Sequence, residues 1–286
     1  MNYQKLSLAP GLYLVATPIG SARDITLRAL DILASADVIA AEDTRTARKL
    51  MDIHGIPHAG RRMIAFHDHS KDAGADGLVA LIAQGASLAY VSEAGTPLVA
   101  DPGFELGRAA IAAGLPVTAA PGPSAVLAAL CVSGLPTDRF AFVGFLPSAR
   151  AQRETEVAAL RDVPFTLVFY ESPKRVGETL GILRDILGQG RQAVVCRELT
   201  KKFEEVSRGD LETLADDFAD RPVKGEIVVL VGRAGAAEVP EQDVAAALRD
   251  AMATMRVKDA ATAVAGAFGL PRREVYQMAL KIGEEK

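Results

Sequence analysis

Residues 87–124 read SLAYVSEAGTPLVADPGFELGRAAIAAGLPVTAAPGPS and carry the clearest signature of the fold. Two short apolar runs, 87–91 and 116–120, are typical of buried strands, and residues 103–113 between them have apolar side chains at helical spacing. A strand, a helix and a strand in this order predict neighbouring parallel strands covered by the helix. The connection at 92–102 contains two carboxylates, a glycine and two prolines, and is longer than a plain turn requires.

The same alternation continues on both sides of this segment, which predicts an α/β fold. Strand-like runs are LYLVA (12–16), DVIAA (37–41), MIAF (63–66), AFVGF (141–145), TLVFY (166–170), QAVVC (192–196), EEVSRG (204–209) and GEIVVLVG (225–232). Glycines and prolines cluster within 121–140, so we expect two α/β domains, residues 1–122 and 123–236. Residues 237–286 differ, because three short helical patterns there form a tail that resembles a helix–turn–helix.

Composition limits the class of protein. The chain has 286 residues, a net charge of −4 and 49% hydrophobic residues, which argues against a uniformly basic nucleic-acid binder but not against local basic patches. It contains no run of about 18 apolar residues and no leader-like N-terminus, so we expect a soluble cytoplasmic protein without a membrane segment. Cys131 and Cys196 lie in apolar stretches without metal-binding spacing, and we expect two buried thiols.

Several common catalytic motifs are missing from the sequence. It has no phosphate-binding GxxxxGK[ST] loop, no GxGxxG after the first strand, no HExxH and no Cys/His cluster, and we predict no metal site. GPSAV (122–126) lacks the last glycine of a serine-nucleophile elbow. His67 and His69 are better explained as polar residues of a loop at a cleft than as metal ligands.

The remaining feature is a set of loops at strand ends, rich in glycine, proline and charge. They are ATPIG (16–20), AEDTR (41–45), FHDHS (66–70), VSEAGTPLVADPG (91–103), APGPS (120–124), FYESPKR (169–175) and RELTKK (197–202). The carboxyl ends of parallel strands meet at one edge, where ligands bind, so these loops predict a cleft between the two domains. The alternative is that they are ordinary structural turns.

Six motifs taken together carry a resemblance to a known family. TPIGSARDITLRAL, AEDTR, VSEAGTPLVADPG, AAPGPSA, FYESPKR and RELTKKFEEVSRG occur in order and resemble the ribosomal RNA small subunit methyltransferase I family, of the tetrapyrrole-methylase-like class. The resemblance implies S-adenosylmethionine in the cleft between two α/β domains, a homodimer, and methylation of a cytidine ribose 2′-hydroxyl in the decoding region of 16S rRNA, free or in the 30S subunit. The alternatives are a tetrapyrrole-type small-molecule methylase, and a non-enzymatic nucleic-acid-binding protein that uses the tail.

The resemblance also implies which residues bind the cofactor. Matched to the loops of the wider class, they are Pro18, Ala94, Gly95, Thr96, Val99, Ser124, Ala125 and Leu199. Thr96 stands where that class usually has aspartate, a departure that suits an acceptor other than a tetrapyrrole. Lys174 stands where the family often has histidine, so no obligatory role is expected for it.

Transfer to a ribose hydroxyl needs a proton acceptor or a cation near the oxygen. The candidates are Glu42, Asp43, Arg45, Glu171, Glu198 and Lys201, each of which could instead form a structural salt bridge. Basic residues beside the strand ends predict a rim that binds RNA phosphates: Arg45, Arg48, Lys49, Arg61, Arg62, Lys174, Arg175, Lys201 and Lys202.

Overall fold

The structure is a computed structural model that describes residues 2–58, 60–67, 71–101, 103–234, 241–268 and 270–284. His69, and the predicted junction between the second domain and the tail at 236–237, lie outside these residues. The described chain forms two compact units, Met1–Leu160 with Phe165–Gly232, and Arg161–Pro164 with Arg233–Lys286. Both sheets belong to the first unit. The boundary between the α/β domains at 122–123 stays a prediction.

The first sheet is entirely parallel, as its continuous apolar runs predict, with strand order β3-β2-β4-β1-β5. Its strands are β1 (Gly11–Val15), β2 (Val38–Ala41), β3 (Arg62–Ala65), β4 (Ser87–Val91) and β5 (Val117–Ala120). The connecting helices are α1 (Leu27–Ser35), α2 (Thr44–Ile53), α3 (Lys71–Ala83) and α4 (Gly103–Ala112). Helices α1 and α2 contribute to the core on one face, and α3 and α4 to the core on the other.

The second sheet is mixed and has strand order β6-β7-β10-β8-β9. Its strands are β6 (Phe140–Phe145), β7 (Thr166–Glu171), β8 (Gln192–Arg197), β9 (Glu205–Asp210) and β10 (Ile227–Val231). Strand β6 is parallel to β7, whereas β10 is antiparallel to both its neighbours. The helices of this half are α5 (Ala125–Ser133), α6 (Arg150–Ala159), α7 (Val176–Leu187) and α8 (Leu211–Ala219).

Helix α5 follows the last strand of the first sheet and packs against the second. Ser124 caps its N-terminus, and Gly134, in the left-handed conformation, ends it. Val126, Ala129 and Leu130 pack with apolar side chains of β7, β8 and β10. The helix therefore brings the end of β5 to the face of the second sheet.

The tail forms its own apolar core from α9 (Glu241–Met252), α10 (Val257–Phe268) and α11 (Arg272–Glu284). Leu248, Ala261 and Ala279 are buried at its centre. This agrees with the three helices predicted for this part of the sequence.

Candidate functional site

A cleft of about 500 Å³ lies where loops of the two sheets meet. On the side of the first sheet it is lined by Ile19, Glu42, residues 92–96 and 99–101, and by Ser124 and Ala125 at the start of α5. From the second half it is lined by Phe145, Cys196, Leu199 and residues 170–173 and 225–228. Its volume and mixture of apolar walls with a few polar groups are typical of small-molecule sites.

Hydrogen bonds join three loops of the first sheet at the floor of this cleft. Thr17 and Gly95 exchange two backbone hydrogen bonds of 2.9 and 3.0 Å, which couples the loop after β1 to the loop after β4. The Thr96 hydroxyl donates to the carbonyl of Pro123 at 2.9 Å and so reaches the loop after β5. Gly95 has φ +80°, a left-handed conformation that favours glycine. The three loops therefore form one connected surface.

The long loop after β4 is anchored at its C-terminal end by hydrogen bonds to Asp101. Asp101 accepts hydrogen bonds from the Tyr90 hydroxyl at 2.8 Å and from the Gly103 amide at 2.7 Å, where α4 begins. Its other carboxylate oxygen is buried without a hydrogen-bond partner among the described residues. Leu98 and Ala100 both have positive φ, which is uncommon outside glycine and occurs near functional sites. The loop is long because it walls a cleft, and Asp101 also caps α4.

The loop after β8 closes against the loop after β1. The Ser21 amide donates to the Thr200 hydroxyl at 3.1 Å, and Leu199 is buried. A Cβ on Gly20 would lie 2.5 Å from Lys201 Cγ and 2.6 Å from Thr200 Oγ1. Glycine at this position is thus needed for the close approach of the two halves.

Seven of the eight predicted cofactor residues line the cleft: Ala94, Gly95, Thr96, Val99, Ser124, Ala125 and Leu199. Pro18 does not; it is buried between Thr17, which holds the bridge to Gly95, and Ile19, which does line the cleft. The placement is an observation, and the contacts of these residues with a cofactor stay predictions.

The acidic candidates of the first half have different surroundings. Glu42 lines the cleft, and its carboxylate accepts a hydrogen bond of 3.2 Å from the Glu93 amide. Asp43 caps α2 outside the lining and pairs with Arg45 at 2.7 Å. Hydrogen bonds from the Arg45 side chain, then from its amide, lower the pKa of Asp43 to about 2. Asp43 is therefore a weak base.

Glu171, at the end of β7, lines the cleft but is engaged in a buried network. One oxygen accepts from the Ser172 amide at 2.7 Å, and the other accepts from the Thr179 hydroxyl at 2.6 Å. Arg175 forms an ion pair with it at 3.3 Å, and the buried Arg153 donates to the same threonine. These contacts hold the Glu171 carboxylate in place at the end of β7.

Glu198 and Lys201 form an ion pair of 2.8 Å that extends to Glu226. Hydrogen bonds from Lys201 and from the Glu226 amide lower the pKa of Glu198. Burial opposes the charge on Lys201, but its bonds to the two carboxylates outweigh burial and raise its pKa. Of these three residues Glu226 lines the cleft, and it is one that the sequence interpretation missed.

Another residue that the sequence interpretation missed is Phe145, whose aromatic ring stands beside Tyr170 at the cleft. A regular AFVGF strand places Phe145 on the face opposite Phe142, which hides its relation to the site. The sequence does contain one sign of this irregularity, Gly144, because a glycine inside a strand often marks a β-bulge. Burial, with the negative charge of Glu226, raises the pKa of Tyr170, which stays a neutral phenol.

Two expectations about surface and burial need correction. Cys131 is exposed on α5, because it lies on the side of that helix away from Val126, Ala129 and Leu130; only Cys196 matches the predicted burial. Arg61 does not extend into a rim, since its guanidinium donates to the carbonyls of Leu33 and Ala34 near the end of α1.

Other basic residues do remain exposed: Arg45, Arg48, Lys49, Arg62, Lys174 and Lys202. Within the described ranges, no group of three His, Cys, Asp or Glu residues is arranged to hold a metal ion. Where the chain is described, it also has no helix with the length and apolarity needed to cross a bilayer.

Comparison with known proteins gives matches over both units. A family profile described as "Tetrapyrrole (Corrin/Porphyrin) Methylases" matches residues 11–215, and one described as "RsmI C-terminal HTH domain" matches residues 238–283. The chain is 48% identical to the "Ribosomal RNA small subunit methyltransferase I" of Mesorhizobium japonicum, over 96% of this chain and 93% of that protein. It is 44% identical to the protein of that name from Xylella fastidiosa, over 93% and 98% of the two chains.

Among solved structures, the chain resembles the uroporphyrin-III C-methyltransferase of Thermus thermophilus complexed with S-adenosylhomocysteine. The TM-score is 0.54 and the identity 21%, over 77% of this chain and 96% of that one. This likeness confirms the predicted α/β fold.

Proposed function

Because the chain belongs to the ribosomal RNA small subunit methyltransferase I family, we propose that it methylates a cytidine ribose 2′-hydroxyl in the decoding region of 16S rRNA. It is a methyltransferase, and its methyl donor is S-adenosylmethionine. The observation that carries the proposal is the 48% identity to a relative of that name over 96% of the chain. It is supported by the cleft, which is lined by the loops whose sequence motifs resemble that family.

The cleft suits this cofactor in size and chemistry. Small residues of two loops, Ala94, Gly95 and Ala125, leave room next to the backbone. Ile19, Leu199 and Val228 form a buried apolar wall that suits the adenine ring. These are the residues that we expect to hold the cofactor.

The bound cofactor supplies an electrophilic methyl group already activated by a positively charged sulfur. The work of the chain is to place the ribose oxygen in line with that group, and such positioning can contribute roughly 7–11 kcal/mol to lowering the barrier. The interlocked loops around Gly95 suit this work, because they are held in place by the chain's own hydrogen bonds.

The proton acceptor that we propose is Glu42. Asp43 and Glu198 have lowered pKa values, and the carboxylate of Glu171 is engaged by Ser172 and Thr179. Glu42 lines the cleft directly after β2, and its hydrogen bond from the Glu93 amide holds its carboxylate beside the loop after β4. A carboxylate beside the ribose hydroxyl would accept its proton as the oxygen attacks.

An RNA acceptor is favoured over a small molecule by two features. The tail matches a helix–turn–helix profile, and Thr96 replaces the aspartate expected for tetrapyrrole substrates. Exposed Arg48 and Lys49, beside the loop that carries Glu42, can bind phosphates. We further propose that the protein acts in the cytoplasm on the 30S subunit or its RNA.

We also propose that the protein is a homodimer. Phe104 and Ile111 lie seven residues apart on one side of α4, and their exposed fractions are 57% and 66%. Two large apolar side chains on one helix face suit a second copy better than water. Sedimentation equilibrium on the full chain should give twice the 30.1 kDa mass, and a 30.1 kDa species at micromolar concentration would contradict it.

The test of the reaction uses labelled S-adenosylmethionine and 30S subunits from a strain that lacks this protein. We expect label in 16S rRNA, and resistance of one phosphodiester bond to alkali, because a methylated 2′-oxygen cannot attack the adjacent phosphate. Ala125→Trp should abolish transfer by filling the cleft, whereas Leu127→Trp, on the exposed side of α5, should not.

Label only in a porphyrinoid would support the small-molecule alternative. Tight RNA binding without transfer would support the non-enzymatic alternative. Either result would contradict the proposed function.

A further inference from the structure

Strand β6 contains an irregularity beside the cleft. In its pairing with β7, Phe142 is opposite Val168 and Phe145 is opposite Tyr170. These two pairs are three residues apart along β6 but only two residues apart along β7, so β6 contains one extra residue. Val143 is the extra residue of this β-bulge, and Gly144 has φ +81°.

The bulge decides which face of the sheet Phe145 occupies. In a regular strand, residues three apart point to opposite faces. Val168 and Tyr170 are two apart and share a face, and their partners Phe142 and Phe145 therefore share it too. This is the face that carries Val194, Cys196 and Val228, towards α5 and the cleft.

Phe145 is the outermost ring of an aromatic series. Phe142 contacts Tyr170 edge-on with centroids 4.8 Å apart, and Tyr170 contacts Phe145 in the same manner at 5.5 Å. Such contacts fix the orientation of each ring. Phe145 is nevertheless 58% exposed, and β6 is the edge strand of its sheet, so the ring stands at the rim of the cleft.

An oriented, exposed aromatic ring at such a rim is the feature that proteins use to stack an unpaired base. We infer that the bulge at Val143–Gly144 aims Phe145 to stack the base of the nucleotide being methylated. The ring thereby positions the ribose for the transfer. This inference rests on the proposed function, since it requires a nucleotide acceptor. The proposed function assigns the cofactor adenine to the buried wall of Ile19, Leu199 and Val228, which leaves the exposed ring of Phe145 for the acceptor base.

The experiment measures KM for 30S subunits and the dissociation constant of S-adenosylhomocysteine in four variants. Phe145→Ala and Phe145→Leu should raise KM about tenfold, and Phe145→Tyr should restore it, because stacking needs a ring. Cofactor affinity should change less than about twofold. The affinity for 30S subunits should fall with rising salt concentration as steeply in the variants as in the wild type, because an apolar ring displaces no counterions from the RNA.

The matched control is Phe140→Ala, at the other end of β6 and outside the cleft lining, which should leave KM unchanged. Phe145→Leu keeps most of the volume and carries the test if the alanine variant does not fold. An unchanged KM, full activity in Phe145→Leu, or an equal loss of cofactor affinity would overturn the inference. If the wild type itself transfers no methyl group to RNA, the proposed function has failed and this inference with it.

Discussion

Glu42 and Asp43 are adjacent in the chain, yet their side chains have different surroundings. Glu42 lines the cleft, whereas Asp43 caps α2 and binds Arg45. Glu42→Gln should lower kcat by about 100-fold or more, because the amide cannot accept the proton, while cofactor affinity is retained. Steady-state kinetics with calorimetry would measure both.

The control for this substitution is Asp43→Asn, which keeps an N-cap and should affect kcat much less. The Asp43 pKa of about 2 lies below the value of an unfolded chain, so its stabilising effect is complete above about pH 4 and is lost as pH falls towards 2. A larger loss of kcat from Asp43→Asn than from Glu42→Gln would reverse the assignment.

The two thiols should react at different rates. Cys131 is exposed, whereas burial raises the pKa of Cys196 to about 11. At pH 8 a thiol reagent should therefore modify one thiol quickly and the second only on unfolding, because the thiolate is the reactive form. Stopped-flow absorbance would follow this, and Cys131→Ser should remove the fast phase; two fast phases would show that Cys196 is accessible.

The position of a residue at the cleft could be predicted where a loop motif contains it, as for Ala94–Thr96 and Leu199. It could not be predicted for Phe145, since strand alternation places this ring on the wrong face, and the bulge is visible only in the pairing with β7. The roles of the carboxylates were also undetermined, because the sequence does not show that Glu171 is engaged by Thr179.

At the scale of elements, the loops after β1 and β8 depend on Gly20. Gly20→Ala should weaken S-adenosylhomocysteine binding by about tenfold or more, because its Cβ would displace Thr200 and Lys201 and with them Leu199. Calorimetry would measure this. Gly181→Ala in α7 is the control, since its Cβ meets nothing within 4 Å and alanine favours a helix. Equal affinity in both variants would show that the loops are not coupled.

Arg153 on helix α6 offers a test of the buried hydrogen bonds that connect it, through Thr179, to Glu171. Arg153 is 1% exposed and donates to the carbonyls of Pro147 and Ser148 and to Thr179. Arg153→Met should lower the free energy of unfolding by about 3 kcal/mol, because buried acceptors lose their donor. Urea denaturation measures this.

The matched variant is Arg150→Met on the same helix, where the ion pair with Glu154 is exposed. It should cost less than about 1 kcal/mol. Similar losses in the two arginine variants would contradict the importance of the buried network.

The sequence predicted the parallel first sheet because its strands are continuous apolar runs joined by amphipathic helices. The direction of β10 was not predictable, since IVVLV has the same pattern in a parallel or an antiparallel strand. Its orientation is set by long-range pairing with β7 and β8.

At the scale of the whole molecule, the described residues that line the cleft all lie between Ile19 and Val228, within the first compact unit. A chain ending at Ala234 should therefore bind S-adenosylhomocysteine with an affinity within about threefold of the full chain. Calorimetry on both proteins is the measurement. A soluble truncated chain that does not bind would show that the tail contributes to the cofactor site.

The strand order of the second sheet has a consequence for how the protein is made. Its middle strand, β10, leaves the ribosome after the four strands that flank it. Until residue 231 has emerged, the β6–β7 pair and the β8–β9 pair have no strand between them, and Tyr170 and Cys196, which line the cleft from β7 and β8, do not share a sheet. We therefore expect a chain interrupted before residue 231 to lack the cofactor affinity of the full chain.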